Sequence, residues 1–395
     1  MKLLYCTYKP TYRAYNEYYS DGSFPYFIPT LSSFFDEMYL MVPVSDQLPK
    51  GVSKLAKSSQ IRVIDTKTHR NKYLHGIQGY SWSLENIFKF RVWQHKADVV
   101  LIGIPSTIHY LAYLPMIKKP LVVLVAGDEQ EVLKTFDSSA INIERFTKLV
   151  KLRGVLEGYI LRKCNAIICR NSGIKNKLIK GYNIPESKIN IITSGIDVEI
   201  FRPLDSKSRE LMRQNLGIKT DDMIIGFVAT SISNSKGADT LIEVFTRLRN
   251  DYPRLKLLLI GENKLELGKD QSVISCGLVK KEDLPAYYNA MDIFVFPSKS
   301  EGAPKVIMEA FACGIPVIAS NVGAVPGWIT EAENGFLTEI GDTDKIVDSC
   351  KALLKREALR RKIGDKARLY AVTNFGFEKL TESVAKVIKK AATKN

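Results

Sequence analysis

The sequence predicts an α/β protein of two Rossmann-like domains, each a parallel sheet with helices on both faces. Three observations lead there. Short apolar runs of strand length alternate along the chain with longer helical stretches, as parallel strands joined by crossovers require. One of them, Ile293 to Phe296, is an unbroken apolar run closed by Pro297, as expected of a strand covered on both faces. At 395 residues the chain exceeds one ordinary core and suits two domains of roughly 150 to 200 residues each.

Apolar residues make up 45% and charged residues 25% of the chain, the balance of a soluble globular protein. No apolar run approaches the ~20 residues that span a bilayer. The start, MKLLYCTYKP, reads as a strand and lacks signal-peptide architecture. Cys6, Cys164, Cys169, Cys276, Cys313 and Cys350 lie mostly in apolar segments and form no C-x-x-C pair. Buried thiols in a reducing compartment are therefore expected before disulfides or zinc, and the expected location is cytoplasmic. A net charge of +15 favours anionic partners such as phosphates, anionic lipid head groups or nucleic acid. With no zinc-finger, recognition-helix or RNA-binding signature, nucleic acid is not expected.

In the N-terminal half, strand-like runs fall at 2–6, 38–44, 61–64, 99–104, 121–126, 166–169 and 189–192. The segment 5–26 is rich in tyrosine and ends in the turn Asp21-Gly22-Ser23. His69, His75, His95 and His109 show no metal-ligand spacing, so surface positions and no metal site are expected. Within 145–163, Phe146, Leu149, Val150, Leu152, Leu156 and Ile160 recur at helical spacing among Arg145, Lys148, Lys151, Arg153, Arg162 and Lys163. Such a helix packs its apolar face on a sheet or lies on an anionic membrane surface, and the first reading is preferred. Gly154 and Gly158 weaken it as one continuous helix.

The segment ITSGIDVEIFRP (192–203) ends the first domain, where Gly195 allows a tight exit and Pro203 stops further structure. Residues 204–220 read as linker plus a short helix. A strand at 223–229 runs through TSISNSKG into a helix from about Ala238. Lys236-Gly237 ahead of that helix supplies a cation, a flexible backbone and a helix N-terminus, which suits a metal-free diphosphate site. Strand-like runs follow at 255–261 and 273–279. The chain then reaches its most informative stretch, FVFPSKSEGAPKVIMEAFACGIPVIAS (294–320).

This stretch reads as a buried strand closed by Pro297, a polar loop with Glu301 and Gly302, a helix starting near Pro304 and capped by Gly314, and a second strand. Such a unit presents backbone N–H groups at the C-terminal edge of a sheet, where doubly wound proteins bind phosphorylated ligands. Glu301 and Glu309 are eight residues apart, a little over two helical turns, so both can face one ligand. Glu309 suits the neutral hydroxyls of a ribose better than a phosphate. Two solvated glutamates on an ordinary crossover would show the same spacing.

EGAPKVIMEAFACGIPVIAS, followed by NVGAVPGWI and NGFL, resembles the donor-site signature of family 4 of the retaining glycosyltransferases. Gly195-Ile196-Asp197 with Phe201 and Pro203 resembles that family's interdomain element, and Lys236-Gly237 its Lys-Gly pair. The likeness covers roughly 185–345 well and the N-terminal half in architecture. It implies the GT-B fold, two Rossmann-like domains facing across a cleft: 1–203 on the acceptor side, 204–372 holding the donor, and 373–395 as a helix returning to the first domain. It implies a retaining, metal-independent enzyme with no cofactor, moving a sugar from a nucleotide diphosphate sugar to a glycan or lipid-linked acceptor. Such an enzyme is cytoplasmic or peripheral on the cytoplasmic membrane face.

By the same resemblance, Lys236 neutralises the leaving diphosphate, with Ser231 and Gly237 in its loop. Glu301 holds sugar hydroxyls, and Gly302, Ala303, Pro304, Lys305 and Val306 hold sugar and phosphate through backbone N–H groups. Glu309 holds the ribose, and the turn at Cys276 meets the base. The tyrosines of 5–26 border the acceptor or pack a surface loop. Two departures stand out. Where members commonly carry a histidine after the strand 121–126, this chain has Ala126-Gly127-Asp128-Glu129, leaving Asp128 as the polar candidate. Ser231 occupies a common arginine position, so one charge is lost unless Lys305 replaces it. An epimerase-like enzyme acting on nucleotide sugars, or a non-catalytic glycan- or lipid-binding relative, would share the donor fold.

Overall fold

The computed structural model describes residues 1–7, 9–20, 24–49, 52–66, 86–104, 113, 116–125, 155, 157–263 and 270–393. Asp128, His69, His75, His109, the turn 21–23 and most of the basic segment 145–163 lie outside them. The described chain forms two compact units, Met1–Thr193 with Leu380–Asn395, and Ser194–Lys379.

The first unit holds β1 (Lys2–Thr7), β2 (Thr11–Ala14), β3 (Glu17–Ser20), β4 (Glu37–Ser45), β5 (Ser53–Lys54), β6 (Ile61–Thr66), β7 (Val99–Ile104), β8 (Leu121–Val125), β9 (Ala166–Cys169) and β10 (Ile189–Ile191). Seven of them pair in parallel in the order β6-β4-β1-β7-β8-β9-β10. Successive residues enter opposite cores: Leu3, Tyr5 and Leu40 one, Leu4, Cys6 and Met41 the other. Both faces of the inner strands are dry, which is why β1, β7 and β8 show no polar alternation, whereas the edge strands β6 and β10 carry Arg62 and Asn190. The helix Phe377–Thr393 sets Val384, Ala385, Ile388 and Ala391, one helical stripe, into the first of these cores.

The tyrosine-rich segment is not an open loop. β2 and β3 form an antiparallel hairpin whose turn residues Tyr15 and Asn16 both have positive φ, 51° and 61°. That is a two-residue turn of the kind that fits strand twist, carried here by Tyr-Asn instead of the usual Asn-Gly.

The second unit holds β11 (Met223–Ile232), β12 (Leu255–Asn263), β13 (Val273–Ser275), β14 (Ile293–Phe296), β15 (Val317–Ser320) and β16 (Gly335–Thr338). Their order is β13-β12-β11-β14-β15-β16, all parallel. Strand order therefore reverses between β11 and β14, and the loops leaving those two strands open beside each other. Phe296 stacks on both Phe227 and Phe294, with 6.1 Å between ring centroids in each pair, and all three are all but sealed from solvent. Burial of each contributes about 1.5 to 3 kcal/mol.

The segment 194–203, read from the sequence as the end of the first domain, packs with the second unit. Phe201 sits in that unit's core, and Ile196 bridges Gly376. Asn289 donates to Arg202 O and accepts from Leu204 N, while Arg368 donates to the carbonyls of Val198, Phe201 and Ala312. The unit closes at Lys379, a few residues beyond the expected 372.

The helix Ser206–Asn215 is N-capped by Asp205 and anchored beside β14 by charge. Asp292 accepts from Arg209 at 2.7 Å, Arg213 at 3.3 Å and Ile224 N at 2.8 Å. Arg213 is buried, so losing its carboxylate leaves an uncompensated interior charge. Asp292→Ala is expected to cost roughly 3 kcal/mol, read by urea unfolding, whereas an exposed pair such as Arg361–Glu357 would cost a few tenths.

Candidate active site

At the end of β11, Asn234–Lys236 makes one 3-10 turn, and the helix Ala238–Asp251 begins directly after Gly237. Gly237 has φ 77°, and a Cβ there would lie 1.9 Å from the Pro297 carbonyl oxygen. A side chain at this position would drive the loop off the end of β14. On the other side, Lys299 N donates to Ser235 O at 3.1 Å, and Lys299 Nζ meets Asp239 at 2.6 Å.

These ties bring Lys236 and Glu301 together. Lys236 Nζ lies 2.6 Å from Glu301 Oε1, and the hydroxyl of the fully buried Ser298 approaches the same oxygen at 3.2 Å. Glu301 sits in the loop, as the sequence indicated. Its side chain is 14% exposed and that of Lys236 35%. A pair this open to solvent contributes about 1 kcal/mol or less to stability. A third loop closes on the second. Gly323, φ 56°, would place a Cβ 2.3 Å from Glu301 O, and Ala324 N donates to Gly302 O at 2.9 Å.

Gly302 and Ala303 continue that loop, Pro304 is the N-cap, and Lys305 and Val306 open the helix Lys305–Ala312. Its end matches the expected cap: Ile315 N donates to Ala310 O and Gly314 N to Phe311 O. Glu309 therefore lies in the helix rather than the loop and is only 8% exposed. Its Oε2 accepts from Tyr288 Oη at 2.9 Å, while its Oε1 has no protein donor among the described residues. Burial pushes the carboxyl up to about 7, opposed by the Tyr288 hydrogen bond and the charges of Lys305 and Lys281. Burial also raises the Tyr288 phenol and lowers the Lys281 ammonium.

Ser231 does not sit in the loop. It belongs to β11 and registers with Glu262 of β12 beyond a bulge. The hydroxyls of Ser233 and Ser235 pair with each other at 3.0 Å. Cys276 precedes Gly277, whose carbonyl receives Gly261 N at 2.8 Å. Sequence reasoning missed Ser298, Lys281 and Tyr288. Ser298 had a signal in its place directly after the strand-closing Pro297; Tyr288 is one of two adjacent tyrosines in an ordinary helix.

All six cysteines are free thiols, and five are buried. Among the described residues no group of three or more His, Cys, Asp or Glu side chains could hold a metal ion, and no helix is long and apolar enough to cross a membrane.

Residues 208–370 match the family described as glycosyl transferases group 1. The capsular polysaccharide biosynthesis glycosyltransferase CapM of Staphylococcus aureus is 30% identical over 230 residues, 55% of this chain and 60% of CapM. The chain spans about half to three fifths of the length of the curated relatives that it matches. Sucrose-phosphate synthase from Thermosynechococcus elongatus superposes with a TM-score of 0.73 at 17% identity, covering 98% of each chain. HepE of Anabaena, in complex with UDP, gives 0.69 at 15% identity over 99% of this chain and 100% of that one. The resemblance read in the donor-site motif holds where the motif lies, and the fold is GT-B.

The buried carboxyl of Glu309 has a measurable consequence. A carboxyl raised in the folded state binds its proton more tightly there, so its contribution is fully present below the unfolded value near 4.5 and is lost as pH rises through about 7. Relative to Glu309→Gln, the wild type is expected to lose on the order of 3 kcal/mol between pH 4.5 and pH 8, read by urea unfolding.

Proposed function

We propose that this chain is a retaining, metal-independent glycosyltransferase that moves a sugar from a nucleotide diphosphate sugar to an acceptor hydroxyl in glycan, polysaccharide or glycolipid synthesis. The observation that carries the reading is the meeting of Lys236 and Glu301 at the strand-order reversal, within the stretch that matches the glycosyltransferase family.

Each residue then has a role. The donor diphosphate competes with Glu301 for the Lys236 ammonium, and once it takes Lys236, Glu301 is released toward the sugar hydroxyls. Ser231 and Gly237 border the diphosphate. Backbone N–H groups from Gly302 through Ala303, Lys305 and Val306 hold sugar and phosphate, and Pro304 sets the helix start. In the transfer, the bond between the anomeric carbon and the phosphate oxygen breaks while the acceptor oxygen bonds to that carbon on the same face. The acceptor proton passes to the departing phosphate. Lys236 stabilises charge that grows as the bond breaks, which lowers the barrier more than equal binding of the ground state would. Asp128 is the polar candidate on the acceptor side.

The acceptor is a glycan or a lipid-linked glycan, and the excess of basic residues suits an anionic membrane surface on the cytoplasmic side. HepE, which shares the fold, was solved with UDP and UDP-glucose, and so a uridine donor heads the panel to be tested.

That panel is a thermal-shift series of UDP-, GDP-, ADP- and CMP-sugars, with and without Mg2+. A ligand at ~100 times its dissociation constant stabilises the folded protein by about 2.7 kcal/mol. One nucleotide is expected to shift the wild type without metal and to leave Lys236→Ala unmoved; no shift with any of them would sink the reading. With the donor known, Glu301→Ala is expected to lower turnover by a factor of about 100 or more. A non-catalytic binder would have no turnover to lose.

A further inference from the structure

Glu309 is an unusual hydrogen-bonding group because its two oxygens live differently. Oε2 is tied to the hydroxyl of Tyr288, whereas among the described residues Oε1 has no protein donor, on a residue that keeps a sliver of accessible surface. Tyr288 is itself immobile. It is fully buried and packs edge-on against Phe294 of β14 at 5.7 Å and Phe201 at 6.1 Å. Its neighbour Asn289 is bonded to Arg202 O, Pro285 O and Leu204 N. The phenol is a fixed post rather than a rotor.

We propose that Tyr288 is a positioning residue of the donor site, clamping Glu309 through Oε2 so that Oε1 is held ready for the vicinal diol of the donor nucleoside. The inference rests on the reading of this unit as the donor domain and adds a residue whose effect on the ligand is transmitted through Glu309. A carboxylate free to spin must be ordered when the ligand arrives, at the expense of affinity; one already clamped has lost that freedom in folding. The clamp also biases protonation, since a donor on Oε2 favours the carboxylate over the acid. The other groups that face Glu309 are Lys305 on its own helix, Lys281 from the turn before the helix Leu284–Ala290, and the Cys313 thiol. The lysines act in the same direction as the tyrosine, so the tyrosine's share must be read by its own removal.

The test uses the full chain and compares UDP, GDP and ADP with their 2′,3′-dideoxy counterparts, which lack the diol. Tyr288→Phe keeps the ring and removes the hydroxyl. Its affinity for the preferred ribonucleotide is expected to fall about tenfold, the worth of a hydrogen bond to a charged group at the low end. Its affinity for the dideoxy analogue should be unchanged, so the ribo-to-dideoxy preference collapses. In a Glu309→Gln background the same change should have no further effect. Equal loss of both ligands, or no loss of either, would mean that the tyrosine is merely structural. If Tyr288→Phe does not fold, Glu309→Gln still decides. Its ribo-to-dideoxy preference should collapse while its affinity for the dideoxy analogue stays that of the wild type, and an unchanged preference overturns the clamp, which acts only through Glu309. Failure of the wild type to bind any of the three ribonucleotides would instead overturn the donor reading itself.

Discussion

Opposite charges on two separate loops meet where the strand order of the second sheet reverses, and much of that unit serves to keep Lys236 and Glu301 in contact. The pair is too solvent-exposed to hold the loops by its own attraction. What holds them is backbone. Gly237 lies against the carbonyl of Pro297, Gly323 against that of Glu301, and main-chain bonds run from Lys299 to Ser235 and from Ala324 to Gly302. Charge at the site is therefore arranged mainly by backbone contacts, with the Lys299–Asp239 ion pair beside them.

The two glutamates of the motif show how environment divides one residue type into two kinds of work. Glu301, in a loop and partly wet, is neutralised by a lysine. Glu309, inside a helix and nearly dry, is held by a tyrosine hydroxyl and kept close to neutrality by burial. A buried carboxylate destabilises the fold at neutral pH, because burial penalises its charged form.

Much of this was legible in the sequence. Apolar runs located most of the parallel strands within three residues, because strands dry on both faces leave a clear pattern, but 273–279 overshot β13 by four residues and β16 was not read as a strand. Gly237, Pro297 and Gly314 marked turns whose chemistry is local. The strand–loop–helix–strand unit at 294–320 was legible for the same reason, since its loop, helix start and helix cap are neighbours in the chain. What escaped depended on distance or on atypical chemistry. The β2–β3 hairpin turns on Tyr-Asn, which carries little turn signal. The allocation of 194–203 depends on Asn289 and Arg368, far along the chain. Tyr288 looks like any core tyrosine until its partner, 21 residues later, is known.

The pairing of Ile196 with Gly376 has a bearing on how the chain is made. Synthesis delivers β1 long before the helix Phe377–Thr393, yet Val384 and Ile388 share a core with Leu3. Closing so long a flexible loop would be entropically slow. Once Ser194–Lys379 has folded, its ends are stapled side by side, and the late helix emerges beside the strand exit instead of searching from the far end of a coil. The inserted unit thus acts as a splint for its host. A nascent chain stalled before 377 would expose an apolar face of the first sheet, and that is the species a chaperone would be expected to hold.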